Sequence, residues 1–340
     1  MRRQKIVYIG FAFQHHKGTH AGYQHIKEYV DYDYVIDAQP FFDSCNKDPR
    51  NLFDRMKRGL FRRIFGSPVI PYFILKCIWL NVLNSNLVFH FIYGENTYLG
   101  LSRFLRPRSK IVCTFHQPIN WFANEKWHKR LRSIDNIILV GHGEVRAFEK
   151  ITGKSNICFI PHGISTDFYK PQANLAKQNI ILTVGNWLRD YTFANTVYQQ
   201  LLNKYSDLDV VIVASQESVD CINDHPRLHK LCGITDNQLL NLYQKCSVLF
   251  LPLIRFTANN SLLEASACGC RIVIATDSQD VSYIPSQMIY MCSMKLEEVL
   301  GTIEKAQKEP YSDKLANYIR KNYSWEIVGK MTSDYLRNVC

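Results

Sequence analysis

Short apolar runs alternate with helix-length amphipathic stretches along the whole chain of 340 residues. Such β-rich runs, spaced by helix-length gaps, are typical of parallel strands joined by helical crossovers. Two series of strands are therefore predicted. They lie at residues 5–11, 33–36, 86–92, 110–115, 136–140 and 157–160, and at 179–185, 208–214, 229–232, 247–252, 271–276 and 288–292.

The two series predict an α/β fold made of two Rossmann-like, doubly wound parallel-sheet domains that face each other across a cleft. A polar run at 167–177, which contains Pro171, interrupts the pattern between them. We therefore predict one domain over 1–170 and a second over 171–322. The remaining segment, 323–340, is expected to be a helix that packs back on the first domain.

Composition narrows the class of protein. With 46% hydrophobic residues the chain can bury two sizeable cores. Its eleven cysteines are odd in number and scattered, no CxxC pair occurs, and Cys268 and Cys270 have no partner cluster at metal-ligand spacing. Cys113 and Cys158 fall in apolar strands, where a free cysteine packs as a small hydrophobe. The sequence thus disfavours a disulfide scaffold or structural zinc and indicates a reduced, cytoplasmic protein.

Neither a signal peptide nor a membrane span is expected. The chain enters its first predicted strand at Lys5, so no leader is anticipated ahead of the fold. The longest apolar stretch, 68–83, is interrupted by Pro71, Lys76 and Asn81. It falls short of the ~20 apolar residues that a transmembrane helix needs.

The formal net charge of +11 is unevenly divided. Residues 1–170 carry 25 basic and 13 acidic residues, a balance of +12, whereas residues 171–340 carry 16 and 17, a balance of −1. No RNA- or DNA-binding motif accompanies the basic half, so a nucleic-acid partner is not expected.

Much of that charge falls in an amphipathic segment at 53–65. On a helix, most of its apolar side chains gather on one side. A basic amphipathic segment suits an anionic membrane surface, while an ordinary crossover helix with a solvated basic face remains the alternative. The basic side chains opposite the apolar side are Arg55, Arg58, Arg62 and Arg63.

The segment 252–276, PLIRFTANNSLLEASACGCRIVIAT, holds the most specific chemistry. A strand leads into a polar loop, then a short helix predicted over 262–268, and then a second strand, which makes one parallel crossover unit. The N–H groups at such a helix start suit a phosphate. Glu264 could accept hydrogen bonds from ribose hydroxyls, or it could form a capping box with Ser261. The outline is that of a nucleotide-diphosphate site or of a capped helix.

This segment resembles the donor-site signature of retaining glycosyltransferases of family 4, in which an ANN or GFG loop precedes an LLEA-x-ACG helix. The order and spacing of further similar segments make the resemblance specific over roughly residues 110–330. It implies the GT-B fold and transfer of a sugar from a nucleotide-diphospho-sugar with retention of configuration. The further segments are 159–164 (FIPHGI), 181–185 (ILTVG), 232–243 (CGITDNQLLNLY) and 323–326 (YSWE).

The resemblance also implies roles for residues of the polar loop. Glu264 takes the place of the family's last Glu in an E-x7-E pattern, which holds the donor's ribose. The first Glu of that pattern would fall at Phe256 and is absent. The loop residues expected to face the donor's diphosphate are Asn259, Asn260 and Ser261.

Family members usually hold the diphosphate with an Arg and a Lys that follow the first strand of the second domain. Here those places are Asn186 and Tyr191. Arg189 and Arg255 are the nearest replacements, since a guanidinium can grip a diphosphate in bidentate fashion. A surface ion pair, above all between Arg189 and Asp190, is the alternative. No DxD motif occurs in these donor-site segments, so neither a metal nor another cofactor is expected.

Three turns of the first domain fall beyond carboxyl strand ends, where open α/β sheets bind ligands. The turn at 14–22 contains Gly18, which allows close backbone approach to a phosphate. His116 ends the fourth strand and matches the family's His that contacts the sugar or its leaving diphosphate. Glu95 lies at a third strand end and is a weaker candidate.

The sequence therefore predicts a retaining glycosyltransferase with His116 and Arg189 as its catalytic residues. Its partners are a nucleotide sugar and a glycan or lipid-linked glycan acceptor, with attachment to the cytosolic face of an anionic membrane as a further hypothesis. Two alternatives stay open: a catalytically impaired protein of this fold that serves as a binding or partner subunit, and a nucleotide-sugar epimerase on the same fold.

Overall fold

The computed structural model describes residues 3–40, 69–101, 109–255, 257–278 and 284–339, together with Met56, Gly59, Arg63 and Leu105. The chain divides into two compact units. Unit 1 comprises Met1–Gly163 and Trp325–Cys340, and unit 2 comprises Ile164–Ser324. The chain thus leaves unit 1 a few residues before the polar run at 167–177 and returns to it at Trp325.

Unit 1 contains a six-stranded parallel sheet in the order β2-β1-β3-β4-β5-β6. Strand order reverses between β1 and β3, whose backbones pair directly. The strands are β1 (Lys5–Gly10), β2 (Tyr34–Asp37), β3 (Leu87–Phe91), β4 (Lys110–Phe115), β5 (Asn136–Leu139) and β6 (Ile157–Phe159). The α-helices whose bounds are described are α1 (Ile26–Tyr29), α2 (Val69–Leu83), α3 (Gly94–Thr97), α4 (Glu125–Arg132) and α5 (Val145–Thr152).

Unit 2 contains a second six-stranded parallel sheet in the order β12-β11-β10-β7-β8-β9. Strand order reverses between β7 and β10, the arrangement of a Rossmann sheet. The strands are β7 (Gln178–Val184), β8 (Asp209–Val213), β9 (Leu228–Leu231), β10 (Cys246–Pro252), β11 (Arg271–Ala275) and β12 (Tyr290–Cys292). The helices are α6 (Tyr191–Lys204), α7 (Gln216–Val219), α8 (Asp236–Lys245), α9 (Asn260–Ala267), α10 (Leu296–Lys308) and α11 (Lys314–Tyr323).

One central strand of each sheet, β3 in the first and β10 in the second, is buried along its whole length. All five residues of β3 and all seven of β10 are buried. Parallel strands covered by helices on both faces require such continuous apolar runs, which is why the strands could be located from the sequence. Every predicted strand is present and lies within two residues of its predicted bounds. The predicted fold of two Rossmann-like domains is confirmed.

The last helix, α12 (Trp325–Arg337), belongs to unit 1. It packs on α1, where Gly329 lies so close to Tyr29 that an added Cβ would be 2.5 Å from the Tyr29 Cβ. At its start the Trp325 ring stacks on the Tyr29 ring with centroids 6.2 Å apart. Close helix packing therefore depends on a glycine at 329, and it brings Trp325 to the carboxyl edge of the first sheet.

Two sequence predictions fall partly outside the described residues. Of the segment 53–65, only Met56, Gly59 and Arg63 are described, and all three are helical and exposed. No helix among the described residues is long and apolar enough to cross a membrane. The predicted membrane residues that lie outside the described part of the chain are Arg55, Arg58 and Arg62.

Candidate active site

Two loops meet at the point where the strand order of the second sheet reverses. The loop after β7, residues 185–190, and the segment that follows β10 pair through backbone hydrogen bonds. The Ile254 N–H donates to the Leu188 carbonyl and the Asp190 N–H to the Pro252 carbonyl, each over 3.0 Å. Leu188 has a φ of +56°, a left-handed conformation that non-glycine residues seldom adopt. In open α/β sheets, ligands bind at such a reversal point.

Arg189 ties these two loops to the start of α9. Its Nη2 donates to the Ser261 hydroxyl over 2.8 Å and to the Asn259 Oδ1 over 3.1 Å. The same nitrogen lies 3.1 Å from the Val184 carbonyl, and Nη1 donates to the Trp187 carbonyl over 2.6 Å. The structure therefore brings together three residues that the sequence had named as donor-binding candidates: Arg189, Asn259 and Ser261.

The charge of Arg189 is not balanced within the described part of the chain. All its acceptors are neutral oxygens, and no described carboxylate forms an ion pair with it. Asp190 instead caps α6, accepting from the Phe193 N–H over 2.8 Å. The predicted ion pair between Arg189 and Asp190 is therefore wrong. Burial lowers the pKa of the guanidinium, and its Nε is buried with no hydrogen-bond partner among the described residues.

The start of α9 differs from the predicted capping box. The N-cap is Asn259, whose Oδ1 accepts from the Leu262 N–H over 3.2 Å. Ser261 lies inside the helix, which begins at Asn260, and Glu264 does not bond back to it. The capping-box interpretation is wrong because Asn259, two residues earlier, already supplies the cap.

Glu264 lies deep beside α8. Its side chain is 4% exposed, and its Oε2 accepts from the Tyr243 hydroxyl over 2.9 Å. Burial raises the pKa of this carboxyl to about 7, and the Tyr243 hydrogen bond offsets only part of that effect. Tyr243 is a site residue that the sequence had offered only as the end of a family-like segment. Together they form a buried carboxyl–phenol pair one turn into α9.

Asn186 and Tyr191 occupy the positions of the family's usual Arg and Lys, and here their side chains form hydrogen bonds to backbone groups at the loop after β7. The Asn186 Oδ1 accepts from the Ser215 N–H, and the Tyr191 hydroxyl donates to the Gly185 carbonyl, each over 2.6 Å. Both side chains brace the loop after β7. Arg255 is half-buried and lies in a groove of about 440 Å³ whose lining includes Asp190 and Asp277.

Unit 1 places His116 at the carboxyl end of β4, in direct contact with Glu95. The His116 Nδ1 lies 3.2 Å from the Glu95 Oε1, and the same oxygen accepts from the His116 backbone N–H over 3.3 Å. The side chains are 14% and 7% exposed. Glu95 is positioned by α3, whose first residue, Gly94, lies so close to β4 that an added Cβ would be 2.9 Å from the Cys113 Cβ. The weaker sequence candidate is thus the direct partner of the stronger one.

Aromatic rings surround His116. The Tyr23 and Tyr93 ring centroids lie 4.8 and 4.9 Å from that of His116. His162 lies 6.4 Å away, centroid to centroid, and contacts the Trp325 ring. Burial, then the nearby His116, lowers the pKa of His162 to about 3, so this ring is neutral. The sequence did not predict that these aromatic rings gather around His116, although His162 and Trp325 both lie in family-like segments that it had identified.

Gly18 lies in the turn after β1 with a φ of +76°. No atom lies within 4 Å of where its Cβ would be. A glycine is therefore favoured at position 18 because of the left-handed backbone conformation and not because neighbouring atoms leave no room for a side chain.

Comparison with known proteins supports the fold. No protein-family model and no curated protein matches the sequence significantly. Among solved structures, sucrose-phosphate synthase from Thermosynechococcus elongatus superposes with a TM-score of 0.66 at 13% identity over 98% of each chain. The α,α-trehalose 6-phosphate synthase from Burkholderia multivorans gives a TM-score of 0.65 at 11% identity over 99% of each chain.

The Anabaena protein HepE, solved in complex with UDP and glucose, gives a TM-score of 0.66 at 12% identity, with 98% of this chain and 99% of that chain covered. At such identities the likeness concerns the fold. The chain therefore has the GT-B fold of these proteins, with one Rossmann-like sheet in each of its two units.

Proposed function

We propose that the protein is a glycosyltransferase that moves a sugar from a nucleotide-diphospho-sugar to a glycan or lipid-linked glycan acceptor with retention of configuration. The observation that carries this proposal is the guanidinium of Arg189. It lies at the reversal point of the second sheet, beside the start of α9, with no described carboxylate to balance it. Buried charges are normally paired, so an anionic ligand such as a diphosphate is the partner that this arrangement fits.

The proposed chemistry depends on positioning and electrostatics. As the bond between the sugar and the diphosphate breaks, the diphosphate takes the electron pair. Arg189 and the N–H groups near Asn260 and Ser261 would stabilise the added charge. Glu264 would anchor the ribose, and His116 would orient the reacting sugar. Retention is inferred from the resemblance to family 4, and unit 2 would hold the donor while unit 1 serves the acceptor.

A thermal-shift screen of UDP, GDP, ADP, CMP and dTDP sugars tests the proposal. A ligand at ~100 times its dissociation constant should stabilise the protein by roughly 2.7 kcal/mol. A sugar nucleotide that stabilises the protein would then be supplied with glycan acceptors and the products analysed by mass spectrometry. If none of these sugar nucleotides stabilises the protein, the proposed donor site is wrong.

One observation favours an impaired binding subunit as the second candidate. Asn186 and Tyr191 brace the loop after β7 and do not offer positive charge to a diphosphate. Donor binding without hydrolysis or transfer would support this candidate, whereas measurable turnover would exclude it. An isomerised sugar nucleotide with no transfer product would instead indicate an epimerase.

Replacing Glu264 with glutamine should weaken nucleotide binding about tenfold, as expected for losing a charged hydrogen bond to ribose. Because burial raises the folded-state pKa to about 7 from 4.5, the carboxyl contributes stability below pH 4.5 that is lost as pH rises through 7. The variant should lack this component, of about 3 kcal/mol, and should be at least as stable as the wild type at pH 8. Urea unfolding at several pH values and calorimetry with the nucleotide measure both effects.

The control for this variant is Tyr243→Phe, which keeps the carboxylate but removes its phenol partner. It should bind nucleotide better than Glu264→Gln does. Unchanged nucleotide affinity in Glu264→Gln would remove the residue from the donor site and leave it a structural role.

We further propose that unit 1 attaches to an anionic membrane at the cytosolic face. Helix α2 buries Phe73 and Cys77 but exposes Leu75, Trp79 and Leu83 to 68%, 59% and 61%. These three are spaced at i, i+4 and i+8, so they share one face of the helix. An exposed apolar helix face with a nearby basic segment in the sequence suits the interface of a bilayer.

Vesicle co-sedimentation should show binding to phosphatidylserine-containing membranes at low salt and none to pure phosphatidylcholine. Each basic side chain near an anionic surface contributes roughly 1 kcal/mol to the binding free energy. The electrostatic screening length falls to ~3 Å at 1 M salt. Replacing Arg58, Arg62 and Arg63 with glutamate should therefore abolish binding and leave nucleotide affinity unchanged.

A matched control carries the same charge change at exposed positions of α4 and α5: Lys129→Glu, Arg146→Glu and Lys150→Glu. It should still sediment. Sedimentation of the first triple variant, or equal loss in both, would show that the basic segment is an ordinary solvated helix.

A further inference from the structure

A second cavity opens at the opposite edge of the second sheet, where β7 and β11 begin. Its volume is about 740 Å³, within the range of small-molecule sites. Lys177 precedes β7, Arg271 is the first residue of β11, and Arg320 projects from α11. Strands rise ~3.3 Å per residue, so the seven-residue β7 separates this cavity from the Arg189 loops by roughly 20 Å.

The cavity is lined by three cations and one carboxylate. The carboxylate, Asp313, accepts from the Tyr311 hydroxyl over 2.7 Å. Within the described part of the chain, none of Lys177, Arg271 and Arg320 forms an ion pair with a carboxylate. Three positive charges and only one negative charge around one concave space favour an anion there.

Two of the cations are held in place by neutral groups. Arg271 donates to the Ser247 carbonyl over 3.3 Å and to the Glu309 carbonyl over 2.5 Å. Its Nε is buried with no hydrogen-bond partner among the described residues. Lys177 donates to the Tyr243 carbonyl over 3.3 Å, and its Nζ lies 5.6 Å from the centre of the Tyr311 ring. The side chains of Lys177 and Arg271 are therefore held in place before a ligand binds, which lowers the entropic cost of binding.

The part of the cavity lining beside Lys177 is also held in place. Tyr311 packs on Gly269, which has a φ of +73°, and an added Cβ there would lie 2.5 Å from the Tyr311 hydroxyl. Next to it, α11 contributes the amide side chain of Asn317, and the chain before β7 contributes that of Gln172. These amides could bond hydroxyl groups carried by an anionic ligand.

We propose that this cavity binds a small phosphorylated metabolite. Lys177, Arg271 and Arg320 would hold its phosphate, and the amides of Asn317 and Gln172 would face its hydroxyl groups. The cavity's size suits one small molecule better than a peptide or nucleic-acid chain. The proposal does not depend on the glycosyltransferase function, because every residue in it lies away from the loops that hold Arg189.

Isothermal titration calorimetry with glucose 6-phosphate tests the proposal, with inorganic phosphate and glucose as partial probes. Glucose 6-phosphate should bind, phosphate should bind more weakly, and glucose should not bind. The double variant Lys177→Gln, Arg320→Gln should weaken glucose 6-phosphate binding at least tenfold. Arg271 is left intact because it also supports two backbone carbonyls. Circular dichroism confirms that the double variant is folded.

Two further variants locate the binding. Lys305→Gln, Lys321→Gln makes the same charge change at exposed positions outside the cavity lining and should bind like the wild type, as should Arg189→Ala. Absence of glucose 6-phosphate binding at millimolar concentration, or unchanged binding in the Lys177, Arg320 variant, would overturn the proposal. Loss of binding in Arg189→Ala alone would also overturn it, by placing the ligand at the reversal point of the sheet.

Discussion

Replacing Arg189 with alanine should reduce kcat/KM for sugar transfer roughly 100- to 1,000-fold, the usual cost of removing a preorganised group that stabilises developing negative charge. Affinity for the nucleoside diphosphate should fall about 10- to 100-fold, because a hydrogen bond to a charged group contributes about 1.5–3 kcal/mol. Affinity for the bare nucleoside should hardly change, since it carries no phosphate. Calorimetry with the diphosphate and the nucleoside separates the two effects.

The control for Arg189→Ala is a second arginine of unit 2 that bonds only backbone carbonyls. Arg227 donates to the carbonyls of Tyr205, Leu208 and Leu202. Arg227→Ala should therefore lower the free energy of unfolding without changing the preference for diphosphate over nucleoside. Equal losses for diphosphate and nucleoside in Arg189→Ala would mean that this guanidinium only holds the loops together.

The fold was predictable because the strands of a parallel sheet are buried on both faces. A continuous apolar run such as the one in β10 is typical of a strand in that position, whereas a half-buried strand alternates apolar and polar residues. The sequence predicted a last helix packed on the first domain, but it did not reveal the contacts that hold α12 there, which are those of Trp325 and of Gly329 with Tyr29. Those residues are far apart in the sequence, and nothing in their local pattern reports the contact.

The candidate site was predictable in part for a related reason. The loop 257–261 carries a recognisable local pattern, so Asn259 and Ser261 could be named. Choosing between ligand binding and ion pairing for Arg189 required its side-chain acceptors, Asn259 and Ser261, which lie about seventy residues away in the chain. The capping box failed because S-x-x-E spacing does not specify which of several neighbouring polar residues ends the loop. Glu95 was undervalued because its partner, His116, lies on another strand.

Replacing His116 with alanine should lower turnover about 100- to 10,000-fold, the range typical of a positioned side chain that acts at a reacting group. Nucleotide affinity should change little, since the residue is proposed to act on the sugar and not on the base or diphosphate.

Glu95→Gln should give a smaller loss of turnover than His116→Ala, because the amide keeps the size of the side chain but removes the charge beside the His116 Nδ1. The exposed His142 of the same unit provides the control, and His142→Ala should retain wild-type turnover. Wild-type turnover in His116→Ala, or a loss confined to nucleotide affinity, would show that the histidine does not act on the transferred sugar.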